Sequence, residues 1–312
     1  MRYAALKLLL SIPTLLIVAL VIFIVMRLVP GDPAMILVGD ADNAAALAEA
    51  RRSLGLDQPY AVQFGAWLLN VARGDLGVSL MTGQPVLQAI GQRFAVTAQV
   101  VLLAMLAAML IALPLGTYAA RRQNRGGDFA VVFGANLLIS VPSFWVGLML
   151  ILLFGARLGW LPTVGYVPVS DNLAEGLRYL ILPVVALVFV EIATIVRMVR
   201  ASTLDVLRQD FVVNARAKGL PEDSVIRRHV VKNAFAPTMT LLGLILGSLL
   251  GGVAVIETVF TLPGLGRFLV DAIYARDYAV VQGVLLFVAL IHVAANLAVD
   301  LLYPLIDPRV RL

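Results

Sequence analysis

From Leu8 to Met26 the chain carries no charged side chain, and five further stretches of similar length are nearly as apolar. A helix of about 20 such residues spans the roughly 30 Å hydrocarbon core of a bilayer. No water reaches backbone N–H and C=O groups there, so each run must close its own hydrogen bonds as a helix. Hydropathy places six spans at about Leu8–Leu28, Val96–Ala120, Phe129–Ala156, Leu177–Val199, Pro237–Phe260 and Val280–Leu302. The predicted fold class is an all-α integral membrane protein with six transmembrane helices. Composition agrees, with 61% hydrophobic and 14% charged residues among 312 and a mean hydropathy of +0.95. Soluble domains sit near half apolar and a quarter charged. Pro114, Pro142 and Pro183 interrupt the spans, as a bundle can tolerate, and hint at kinked helices.

The net charge of +5 does not point to nucleic acid, because the charges cluster in short connectors between apolar runs. Fifteen of the 24 lysines and arginines fall on one side if the N-terminus is inside. They are Arg2, Lys7, Arg121, Arg122, Arg125, Arg197, Arg200, Arg208, Arg216, Lys218, Arg227, Arg228, Lys232, Arg309 and Arg311. The expected orientation places both termini in the cytoplasm, in a multi-pass protein of the cytoplasmic membrane. Arg2 and Lys7 followed by the first run resemble a secretory signal. The run is too long and lacks a small-residue cleavage site, so a retained helix is expected. The chain has no cysteine and two distant histidines, His229 and His292, which exclude thiolate metal sites, disulfides and a histidine cluster.

Two connectors are too long to be turns. Val29 to Ala95 contains Ala44–Leu54 and then Tyr60–Val71 with helical spacing, read as short amphipathic helices on the outer membrane surface. Arg200 to Ala236 is the most basic part of the protein. Gly219 divides it into a piece from Thr203 to Lys218 and a second opening with Pro221, Glu222 and Asp223 and closing with Arg227, Arg228 and His229. Proline and acids at the start and bases at the end suit a short helix with an aligned dipole. Val225 and Ile226 would give it an apolar surface to seat in another protein's groove. The alternative is a basic connector that only sets topology. Within the spans, Gly243, Gly247 and Gly251 share a helix face, for close packing or for lining a pathway. Glu191 is the sharpest intramembrane acid, either meeting a cation or pairing with Arg197 nearly two turns away. Glu257 and Asp300 lie nearer span ends and read as structural, and Arg27 as snorkelling.

The segment Ala215-Arg216-Ala217-Lys218-Gly219-Leu220, followed by His229, Asn233-Ala234 and Pro237, resembles the coupling loop of bacterial ABC importer permeases. The likeness is to the dipeptide/oligopeptide/nickel group, B-type branch. It extends over Gly31-Asp32-Pro33, Leu54 to Pro59, Arg73-Gly74-Asp75-Leu76-Gly77, Pro142-Ser143-Phe144-Trp145, Leu158 to Pro162, Arg200-Ala201-Ser202, Glu257-Thr258-Val259-Phe260, Pro263-Gly264-Leu265-Gly266, Arg276-Asp277-Tyr278 and Asp307-Pro308-Arg309. The superfamily pattern Glu-Ala-Ala-x-x-x-Gly is met here only at Ala215 and Gly219, with Val213 and Asn214 departing from it. Gln99 stands where relatives often carry glutamate, and Glu191 where a small or apolar residue is expected; both bear on substrate choice.

The resemblance implies a type I importer permease, a single domain over 1–312. Residues 1–95 are expected to form the first helix and a long external loop. Residues 96–312 would form a five-helix core with its coupling loop at about 200–236. It implies as partners a second, C-type permease, two ATPase subunits and an extracytoplasmic substrate-binding protein. The docking residues would be Ala215, Ala217, Lys218, Gly219, Leu220, Pro221, Glu222, Asp223, Val225, Arg228 and His229. Substrates would be di- or oligopeptides, with nickel chelates, haem or glutathione as alternatives.

No phosphate-binding loop exists, since Lys7, Lys218 and Lys232 are the only lysines and none has the setting. No cofactor is expected in this chain; ATP and magnesium belong to the partner subunits. No Gly-x-Ser-x-Gly motif supports an intramembrane hydrolase, and a passive channel would need no docking loop. Neither a catalytic residue nor a metal site is expected.

Overall fold

Helices form at every apolar run and also between the runs. The structure is a computed structural model that describes residues 2–29, 31–38 and 43–306. The elements are α1 (Arg2–Leu28), α2 (Pro33–Val38), α3 (Ala44–Ser53), α4 (Tyr60–Ala72), α5 (Val86–Arg121), α6 (Gly126–Ile139) and α7 (Ser143–Leu150), followed by α8 (Leu173–Leu207), α9 (Asp210–Ala217), α10 (Glu222–Val225), α11 (Val231–Val259), α12 (Leu265–Tyr274) and α13 (Tyr278–Ile306). Wider π-helical turns continue α7 over Ile151–Arg157 and link α10 to α11 over Ile226–Val230.

Among the described residues four helices are long and apolar enough to cross a membrane. They are Leu9–Leu28, Val86–Arg121, Leu173–Leu207 and Tyr278–Val299, and two bent pairs bring the number to as many as six. The expected third span is one of these pairs. α6 and α7 meet at 91°, with Ser140 ending one and Pro142 heading the other. Proline lacks the N–H that would continue the ladder and disfavours helical geometry at the residue before it. Pro114 and Pro183 instead lie inside continuous helices. Pro237 does not begin the fifth span: helix arrives from Glu222 and bends there by 45°.

The chain forms two compact units, Met1–Val96 with Pro263–Val293, and Thr97–Leu262 with Ala294–Leu312. The first is built on Ile22, Met26, Val86, Ile90, Leu265, Tyr278 and Val284, among other buried residues. Phe23, Phe64 and Trp67 stack where α4 meets α1. α3 and α4 occupy the two stretches read as helical. α3 is capped by Asn43, whose side chain accepts from the Ala46 N–H. Ser79 Oγ donates to Asp277 at 2.5 Å, both buried, which ties the segment before α5 to the start of α13. The amphipathic α12 has no counterpart in the hydropathy reading, because ten residues with one apolar face raise no span-length signal.

The second unit is organised around α8, which packs on α6, α7 and α11. Gly116 of α5 is a close-approach point: a Cβ there would lie 2.8 Å from the Val196 carbonyl oxygen of α8. Glu257 is fully buried and accepts from Thr97 Oγ1 at 2.5 Å, in keeping with a structural role.

Candidate functional site in the basic loop

α8 does not run on as a separate piece from Thr203 to Lys218. It ends at Leu207, Gln209 is extended, and α9 starts at Asp210. α9 then stops in a Schellman turn: the Gly219 N–H bonds to the Arg216 carbonyl at 2.9 Å and the Leu220 N–H to the Ala215 carbonyl at 3.4 Å. Gly219 sits at φ +77°, the left-handed region where a side chain is strained, and no atom lies within 4 Å of where its Cβ would be. Glycine is therefore required by the backbone and not by lack of room. Pro221 precedes the next helix as its N-cap, one position earlier than expected, and Glu222 and Asp223 fill the first turn.

The apolar surface expected at Val225 and Ile226 is not on offer. Val225 is 0% and Ile226 4% exposed, packed with Val206, Val212, Ala215, Val230 and Ala234 into a small core. A four-residue helix cannot persist alone in water, so its apolar residues close onto α9 and α8. The short helix is also not free-standing but continues into α11. The exposed apolar side chains are instead Val213 and Leu220. Val213, a departure from the superfamily pattern, is not among the expected docking residues because its face depends on the break at Gln209.

Of the other residues singled out, Ala217, Lys218, Pro221, Glu222, Asp223 and Arg228 are exposed, Ala215 is buried, and His229 is half-buried. Charges pair around the turn. Arg216 forks onto Glu222 at 2.8 and 3.0 Å, and Arg121 at the end of α5 reaches Asp223 at 2.9 Å. Arg200 forks onto the buried Asp128 at 2.6 and 2.7 Å, tying α8 to the start of α6. A cleft of about 500 Å³ beside the turn is lined by Arg121, Arg122, Arg125, Arg208 and Arg216. The turn itself is exposed, and its base is packed on or ion-paired to α5, α8 and α11.

The intramembrane candidates do not gather with it. Gln99 accepts from the Tyr166 hydroxyl at 3.2 Å, and partial burial raises the Tyr166 pKa. Glu191 is half-buried, and among the described residues no hydrogen bond or ion pair reaches it, from Arg197 or elsewhere. The glycines separate: a Cβ on Gly243 would meet Val299 at 2.6 Å, Gly247 is buried, and Gly251 is exposed with open space around it. Close packing accounts for Gly243. The described residues contain no group of three or more histidine or acidic side chains able to hold a metal.

Among the described residues, helices long and apolar enough to span a membrane, joined by an exposed basic turn, fit a membrane permease. Residues 112–312 match the family of binding-protein-dependent transport system inner membrane components, and residues 1–104 match the N-terminal region of such components. The chain belongs to this family. It is 45% identical over 301 residues to a putative peptide transport system permease of Brucella abortus, covering 96% of each chain. It is 40% identical to a dipeptide transport system permease of Alkalihalophilus pseudofirmus, covering 100% of this chain and 99% of that one. A glutathione transport system permease of Salmonella choleraesuis is also 40% identical, with the same coverage. A solved amino acid ABC transporter aligns over 72% of this chain at 16% identity and a TM-score of 0.48, too loose to bear on the fold. The protein is thus a multi-pass inner-membrane permease of an ABC importer, with the type I importer fold, and not its catalytic subunit. Membership implies an ATPase and a binding protein beside it.

Proposed function

We propose that this chain is the B-type permease of a peptide importer and that the turn at Lys218–Pro221 seats in a groove of an ATPase subunit. The observation that carries the reading is the Schellman turn at Gly219, standing on a packed core and ion-paired to α5. A turn held this firmly passes force to α8 and α11 without absorbing it. Nucleotide-driven closure of the ATPases would then shift the bundle between inward- and outward-facing states. Val213 and Leu220 supply the apolar contact, and Lys218, Glu222, Asp223 and Arg228 a charged rim. The peptide and dipeptide relatives support peptides as cargo; the glutathione relative supports the neighbouring alternative. A C-type permease would complete the pathway, so purified complexes should hold one copy of this chain beside a second permease.

Gly219→Trp tests the coupling. The substituent enters open space and costs only about 1–2 kcal/mol of backbone strain, so the subunit should still insert and fold. Substrate-stimulated ATP hydrolysis should be lost, and normal transport would remove the assignment. Orientation is tested by cysteines at Gly126 and Ser224, which should label from the cytoplasm alone; labelling of Ser224 from outside overturns the reading. Asp42, the matching outer position, lies outside the described residues.

A further inference from the structure

The first unit holds a cavity of about 410 Å³ that the transport reading does not use. α1 lines it with Phe23 and Arg27, α4 with Gln63 and Trp67, and the segment after α4 with Asp75. The Arg27 guanidinium lies 5.0 Å from the centre of the Phe23 ring, and its Nε is buried with no hydrogen-bond partner. Gln63 is 9% exposed, and its Nε2 donates to the Leu56 and Gln58 carbonyls at 3.3 and 2.7 Å. Those two acceptors fix which end of the amide is nitrogen, and Oε1 is left buried and unpartnered. Among the described residues neither Arg27 nor Asp75 joins an ion pair.

A cationic donor, a buried acceptor and the exposed carboxylate of Asp75, one oxygen of which accepts from the Gly77 N–H at 2.8 Å, surround one cavity and match a ligand with an anion at one end and an ammonium at the other. Orphaned polar groups of this kind are costly unless something fills them. We propose that the cavity binds the headgroup of an aminophospholipid. The phosphodiester sits on the Arg27 guanidinium, and the primary ammonium donates to Gln63 Oε1 and faces Asp75. Position favours lipid over a free zwitterionic peptide. Arg27 is in the last turn of a spanning helix, at the depth where phosphates lie, and the exposed Leu20, Val21, Ile24 and Val25 of α1 give acyl chains a track below it. In the orientation proposed above, this is the outer leaflet.

Trp67 lines the cavity and can report on it. With Trp145 and Trp160 replaced by Phe, Trp67 is the chain's only tryptophan. The assembled transporter, purified in detergent with partner tryptophans accounted for by a Trp67→Phe control, is titrated with dihexanoylphosphatidylethanolamine. A saturable change in Trp67 emission is expected, tighter than with the phosphatidylcholine counterpart, which has no N–H to donate. Arg27→Met should weaken it roughly tenfold or more. Gln63→Leu, which leaves the span untouched, should abolish the preference for the ethanolamine headgroup even if Arg27→Met fails to fold. Three parallel titrations separate the sources. Saturation by O-phosphoethanolamine or inorganic phosphate at the lipid's own concentration would make this a soluble phosphate site. Displacement of the lipid by dialanine at similar concentration would make it a peptide site. Either result, or no saturable response from folded protein, overturns the lipid assignment.

Discussion

The basic loop and the N-terminal segment are both polar excursions from an apolar chain, yet they treat their charges in opposite ways. At the basic loop three arginines meet carboxylates: Arg216 forks onto Glu222, Arg200 forks onto Asp128, and Arg121 makes a single contact to Asp223. The N-terminal segment pairs Arg51 with Asp32 at 2.6 Å and Ser79 with Asp277, but leaves Arg27 Nε and Gln63 Oε1 buried and open beside a cavity. Satisfied networks hold one geometry, whereas open groups wait for a partner. The basic loop leaves one open group too, the buried Thr203 hydroxyl, and the contrast is between the region proposed to transmit force and the one proposed to receive a ligand.

The contrast breaks most easily at Asp128. Its side chain is 5% exposed, so Asp128→Ala strands the Arg200 guanidinium and should cost about 3 kcal/mol, the low end for a buried pair because Arg200 is itself 25% exposed. A lowered melting midpoint in detergent would register it, and an unchanged midpoint would mean that the pair holds nothing. Asp277→Ala should cost less, about 1–3 kcal/mol, because it leaves the buried Ser79 hydroxyl without its acceptor and removes a partner of the Val280 N–H. If it proved more damaging than Asp128→Ala, the basic loop would not be the firmer region. Glu191→Gln sharpens the comparison from the other side. Among the described residues Glu191 has no partner to lose, so stability should be unchanged or raised. Transport of substrates with a free amino terminus should fall selectively; equal rates for all substrates would end the reading of Glu191 as an acid that meets a substrate cation.

Much of this was readable in advance where the signal is local. The helices at Ala44 and Tyr60 stand where periodicity placed them, and the glycine at 219 ends α9. The failures share one cause. Val225 and Ile226 read as exposed because their neighbours are charged, and only the packing of α9 against α8 reveals that they are core. Pro142 and Pro114 are equally disruptive on paper, yet one turns the chain by 91° and the other lies in an unbroken helix.

By itself the sequence determined that the chain lives in a bilayer, where most of its helices lie, and that Gly219 ends one of them. Each follows from a free energy that is local or additive along the chain: transfer of apolar runs, closure of backbone hydrogen bonds, and the φ that glycine alone adopts cheaply. Only the tertiary structure decided which charges are paired, which apolar residues are hidden, and where a donor and an acceptor are left open. Those outcomes depend on distances between residues such as Asp128 and Arg200, or Ser79 and Asp277, far apart in sequence, and no period or composition encodes a distance.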